Sequence, residues 1–128
     1  MPPRSKFTRA QFRRILTQAL EELPPEFQRV MENIDIQLRW RATPGELRRA
    51  GVRPGGDLFG IYVGIPLTKR GHGYSMVLPD RIIIYQLPHE RHARTEDQMV
   101  EQARQTLLHE IGHYMGIDEH RLRELGIG

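Results

Sequence analysis

The sequence predicts a small α+β domain: a mixed sheet of three or four strands, with an N-terminal helix and a long C-terminal helix packed on one face. Three observations carry this prediction. Apolar residues recur at helical spacing through residues 8–23 and again through 99–111. Between them lie three segments of strand character, residues 34–40, 58–63 and 81–85. The chain has 128 residues, enough for one core and too few for two.

Taken in order, residues 1–7 are expected to be a flexible terminus and residues 8–128 a single domain. Thr8 with Gln11 forms a capping box, in which each side chain satisfies a backbone N–H of the first turn. Phe12, Ile15, Leu16, Ala19, Leu20 and Leu23 then give one apolar helix face. Pro24-Pro25 ends that helix, and Pro25 suits the first turn of a second, short one. Residues 34–40 alternate apolar and polar, which predicts a strand with one buried face. Thr43-Pro44-Gly45-Glu46 opens another short helix, closed near Gly51. In the strand over 58–63, Gly60, with Gly64 just beyond, suggests a bulge or a close backbone approach. Residues 68–73 read as a polar loop, and 81–85 as a β-branched strand buried on both faces. Residues 88–94 read as a polar loop in which His89 and His92 are solvated. Thr95-Glu96-Asp97-Gln98 caps the long helix, and residues 118–125 form a last short one.

The composition, 38% hydrophobic and 27% charged, is that of a soluble globular chain. No apolar run approaches the ~20 residues of a membrane span, and no apolar signal core follows the basic start, so a cytoplasmic protein is expected. With no cysteine, disulfides and thiolate metal sites are excluded. The net charge of +3 is uneven. Residues 1–53 carry 11 Lys and Arg against 6 Asp and Glu; residues 54–128 carry 8 against 10. A basic half suits an acidic partner, but no nucleic-acid motif accompanies it, and a solvated helix surface is the reading adopted.

The chemistry lies in His109-Glu110-Ile111-Gly112-His113-Tyr114-Met115-Gly116-Ile117-Asp118-Glu119. Positions i and i+4 of a helix lie on one face, so two imidazoles can share a zinc ion at about 2.0–2.1 Å each. Glu110 then stands beside the metal, where a carboxylate acts as general base toward a metal-bound water. Gly116 can take positive φ, end the helix and turn the chain back. The next ligand position is then Glu119, and two His plus one carboxylate leave a fourth site open. Two neighbours stay open as alternatives: Asp118, which could instead cap the last helix, and His120, one residue out of register. Tyr114, Tyr85 and His72 are conceivable oxyanion helpers, with a core or surface role favoured for each; Met115 is read as core.

This segment resembles the metzincin-type zinc peptidase motif, and the chain over roughly residues 8–125 resembles the small bacterial zincin-like metallopeptidases. Gly60-Ile61-Tyr62-Val63-Gly64-Ile65-Pro66-Leu67-Thr68 looks like that family's signature, and residues 78–85 look like the strand before its active-site helix. The sequence departs from metzincins in having Glu119 where they have His, and in leaving no room for a Met-turn before Gly128. The resemblance implies a minimal zincin-like fold, and it makes 81–85 the candidate for the sheet-edge strand that pairs with an extended peptide.

The function expected is hydrolysis of a peptide or protein substrate, with zinc on His109, His113 and Glu119 and Glu110 as catalytic base. The alternative is a metal-stabilised protein-binding module with little turnover. It is motivated by how little chain remains for substrate walls.

Overall fold

The computed structural model describes residues 7–64 and 80–124. Among these, six helices and a three-stranded sheet form one α+β unit. The helices are α1 (Arg9–Glu21), α2 (Pro25–Met31), α3 (Pro44–Arg49), α4 (Gln86–His92), α5 (Glu96–Tyr114) and α6 (Glu119–Glu124). The strands are β1 (Asp35–Arg39), β2 (Gly60–Val63) and β3 (Arg81–Tyr85). The expected loop at 68–73, with His72, lies outside the described residues.

Local chemistry sets the helix starts as expected. Thr8 with Gln11, Thr43 with Glu46, and Thr95 with Gln98 each form a reciprocal capping box at the head of α1, α3 and α5. Pro25 and Pro44 occupy first-turn positions, where the missing N–H has no intrahelical partner to lose.

The strand order is β1-β3-β2, with β1 parallel and β2 antiparallel to β3. This corrects the expectation that residues 81–85 form the sheet edge: β3 is the central strand. A sheet interior is where a continuous Ile82-Ile83-Ile84-Tyr85 run belongs, because both of its faces are covered. Ile82 and Ile84 join the core built from Phe12, Ile15, Leu16, Met99, Ala103, Leu107 and Ile111. That core lies between the sheet and the packed pair α1 and α5. On the other face, the Tyr85 phenol is buried near Glu46 of α3. Burial first, then the Glu46 carboxylate, push its ionisation upward.

Of residues 88–94, expected to be a polar loop, 88–92 belong to the helix α4. Pro88 stands third in α4, within the first turn, so it removes no helical hydrogen bond. The Leu87 N–H is satisfied from outside, by the Trp40 carbonyl at 2.8 Å. No helix of the described residues is long and apolar enough to cross a membrane.

Candidate metal centre

α5 supplies three of the chemically active side chains and α6 the fourth. His109 and His113 stand one turn apart, ring centroids 4.6 Å from each other, both partly exposed. Between them in sequence, Glu110 points inward and is 5% exposed. One possible ligand atom from each of His109, Glu110 and His113 lies within 4.8 Å of the others, a group able to hold a metal ion.

The end of α5 is built to bring a second carboxylate back. Gly116 has φ +83°, a left-handed conformation that costs glycine nothing. The Gly116 N–H reaches the His113 carbonyl (3.0 Å) and the Ile117 N–H the Gly112 carbonyl (2.9 Å), the paired bonds of a Schellman stop. Asp118 then caps α6, its carboxylate accepting from the Arg121 N–H at 2.9 Å. Leu122, fully buried, packs on Gly112, where a Cβ would overlap it. This close contact sets α6 against α5.

Glu119 is the first residue of α6. Its Oε1 lies 2.8 Å from Nε2 of His109 and 2.9 Å from Nε2 of His113. Three ligand-type atoms therefore converge on one point. Glu110 approaches differently, with Oε1 3.6 Å from Nδ1 of His113. His120 faces away, 81% exposed and 2.7 Å from Glu124. Two imidazoles and one carboxylate match what a zinc-type ion accepts, and Glu119, with its side chain 54% exposed, has room to adjust to one.

The electrostatics separate the two carboxylates. Burial, then the charge of Glu119, pushes the Glu110 carboxyl up to about 8, against a backbone hydrogen bond from Tyr62. Burial also works against ionisation of Glu119. The charges of and hydrogen bonds from His109 and His113 outweigh it and hold that carboxyl below its ordinary value. His113 is shifted down by burial and by the neighbouring His109.

Beside this cluster runs a groove of about 440 Å³, open to solvent, between α5 and the segment leading into β2. His109, Glu110 and Thr106 line it from the helix, and Asp57, Leu58 and Phe59 from the other side. Gly60 lets β2 lie this close, because a Cβ there would come 2.9 Å from Thr106 Cγ2 and 3.0 Å from the Ile83 carbonyl oxygen. Neither Tyr85 nor Tyr114 lines the groove. Tyr114 is buried with its ring edge-on to Tyr62 at 5.7 Å.

The sequence of residues 31–128 matches the family described as zincin-like metallopeptidase. The chain belongs to that family. No curated protein matches this zincin-like chain. A solved structure, a conserved hypothetical protein from Thermo thermophilus, shares 20% identity with it, covering 85% of this chain and 94% of the other at a TM-score of 0.56. At that identity the likeness speaks for the fold.

Two expectations about histidines need revision. His92 is exposed as expected, but it ends a helix and bonds Asp57 Oδ2 at 3.1 Å. His89 is fully buried rather than solvated. Its Nδ1–H donates to the Tyr85 carbonyl (2.7 Å), which can only accept. Nε2 of the neutral ring then carries a lone pair 3.0 Å from the Thr106 hydroxyl, whose single proton is shared between this nitrogen and the Gln102 carbonyl, also at 3.0 Å. Phe12 and Phe59 meet the ring edge-on at 5.4 and 5.2 Å. This histidine ties α4 to the helix that carries the cluster, one turn before His109. The one signal in the sequence was Pro88: read as first-turn rather than loop, it would have placed His89 on a helix.

Proposed function

We propose that this zincin-like chain is a zinc-dependent peptidase acting on peptide or protein substrates. Zinc would be held by His109, His113 and Glu119, with Glu110 as the base. The observation that carries this reading is the convergence of both Nε2 atoms on Glu119 Oε1 with Glu110 buried alongside. Glu110 meets His113 at Nδ1 rather than at the converging atoms, which supports a role beside the ion.

Bound zinc would polarise a substrate carbonyl and acidify a water molecule. The chain's own groups do the rest. The Glu110 carboxylate, standing beside the ion rather than on it, accepts the proton of the attacking water. The same carboxyl then has a proton to return to the leaving amine. The groove beside His109 and Glu110 receives the chain being cut. Lacking cysteines, the protein has no bond to lose in a reducing cytoplasm, the compartment we assign.

A second reading is a metal-stabilised protein-binding module with little turnover: among the described residues neither Tyr85 nor Tyr114 lines the groove, and His72 lies outside them. Glu110→Gln separates the two. For a peptidase it lowers hydrolysis of a mixed peptide library by about 10²–10⁴-fold while zinc stays bound. Zinc binding with no library peptide cut by wild type would move the assignment to the binding module. If purified, untagged protein neither carries nor takes up zinc at neutral pH, both readings fail.

A further inference from the structure

A second surface lies at the other edge of the sheet from β2 and the metal centre. β1 is an edge strand among the described residues, since β3 covers one side of it and the order β1-β3-β2 ends there. The Asp35 N–H donates to the Asp80 carbonyl at 3.1 Å, toward β3. Backbone groups alternate along a strand, so the N–H and C=O of Ile36 and Leu38 face the open edge.

A groove of about 500 Å³ runs between this strand and α1. Leu16, Leu20, Ile36 and Leu38 supply its apolar lining; the last three are only half-buried. Arg13 lines it from α1, and no acidic side chain lines it among the described residues. Arg39 stands at its strand end and, alternating with Leu38, turns its side chain to the opposite face of the sheet. Arg39 keeps one contact to Glu46, at 3.2 Å, with its side chain still 43% exposed. The surface offers main-chain edge groups, apolar side chains and positive charge together.

We infer that the β1–α1 groove docks an extended acidic segment of a partner protein, added as a strand to the edge of β1. Main-chain bonds to Ile36 and Leu38 give affinity independent of sequence. Alternate side chains of the segment rest on Leu20, Ile36 and Leu38; the others point to the opposite face of the sheet, where their carboxylates meet Arg39. The positive charge concentrated in residues 1–53 acts in the same direction. A partner held here leaves the metal centre open, so the docking does not depend on the peptidase reading.

The test uses the full chain and a fluorescein-labelled octapeptide of alternating valine and glutamate, followed by anisotropy at low salt. A valine–lysine octapeptide and a valine–glutamate peptide N-methylated on alternate amides serve as comparisons. The expected result is saturable binding of the acidic peptide alone, weakened about tenfold by Arg39→Gln and by N-methylation. Gln37→Arg adds a cation to the face that carries Arg39 and strengthens binding, a gain that a folding defect cannot imitate. The proposal is overturned by equal binding of the acidic and lysine peptides, or by binding indifferent to N-methylation. Absence of saturable binding overturns it too. Self-association that competes with the peptide would assign the edge to a second copy instead. Tighter binding of a thymidine oligonucleotide would assign the groove to nucleic acid.

Discussion

Leu122 occupies the space that a Cβ on Gly112 would need. Gly112 lies between the two histidines of the cluster, and Leu122 lies three residues after Glu119. The contact is thus the gauge that sets how far Glu119 stands from His109 and His113.

Gly112→Ala should therefore damage the metal site without touching a ligand. Alanine gains about 0.5–1 kcal/mol of helix propensity over glycine. Leu122 is fully buried and its Cδ2 would run into the new Cβ, so the leucine has to re-orient in a packed site or α6 has to shift. Overpacking of this kind costs about 1–3 kcal/mol, which leaves a net loss. A zinc titration and a thermal melt of the variant are expected to show weaker binding and a lower Tm. Unchanged affinity would mean that α6 does not position Glu119.

Glu119→Gln should weaken zinc binding by at least about tenfold, since an amide oxygen replaces a charged ligand. His120→Ala should leave affinity unchanged, because its ring is exposed and paired with Glu124. Competition with a coloured chelator measures both. The opposite ranking would return the third-ligand role to His120.

His89 should make the fold sensitive to mild acid. Burial, outweighing the Tyr85 carbonyl bond, lowers it to about 4 from 6.5, and neighbouring His92 adds to the depression. Below pH 6.5 the unfolded chain takes a proton that the folded chain refuses. Stability is thus complete above that pH and is lost as pH falls toward 4, by up to about 3 kcal/mol. His89→Gln should flatten this slope in urea melts between pH 4 and 6.5, and at neutral pH it should cost about 1–3 kcal/mol by disturbing Tyr85 and Thr106. A slope that survives the substitution would have to come from other groups.

Tyr62→Phe should destabilise the fold by about 1–2 kcal/mol, because the Tyr62 hydroxyl donates to the buried Asp80 carboxylate at 2.9 Å. Gly64 leaves room for that bond, since a Cβ there would run into both groups. Gly64→Ala should cost at least as much, measured by denaturant midpoint. Equal midpoints for wild type and both variants would show the bond to be dispensable.

The last two contacts show what could be read along the chain. The capping boxes, the first-turn prolines, the i, i+4 histidines and the glycine stop are local: a few consecutive residues fix each, so spacing alone revealed them. The run at 81–85 was legible as a strand buried on both faces. Its place in the sheet was not, because strand order depends on pairing between segments far apart. Tyr62 and Asp80 stood as family hallmarks without visible chemistry, since 18 residues separate them and only folding joins them. His89 was misread because Pro88 marks both loops and helix starts, and what decides is whether an outside carbonyl, here Trp40, receives the Leu87 N–H.

The sequence by itself determined the α+β class, the helix starts, and the pair of histidines one turn apart with a glutamate beside them, because periods and caps act over one or two turns. Tertiary structure decided which strand is central, that His89 is buried against Thr106, and that Glu119 rather than His120 faces the histidines. These rest on packing at close range. The want of a side chain on Gly112 lets Leu122 and α6 come down, and no spacing rule contains that distance.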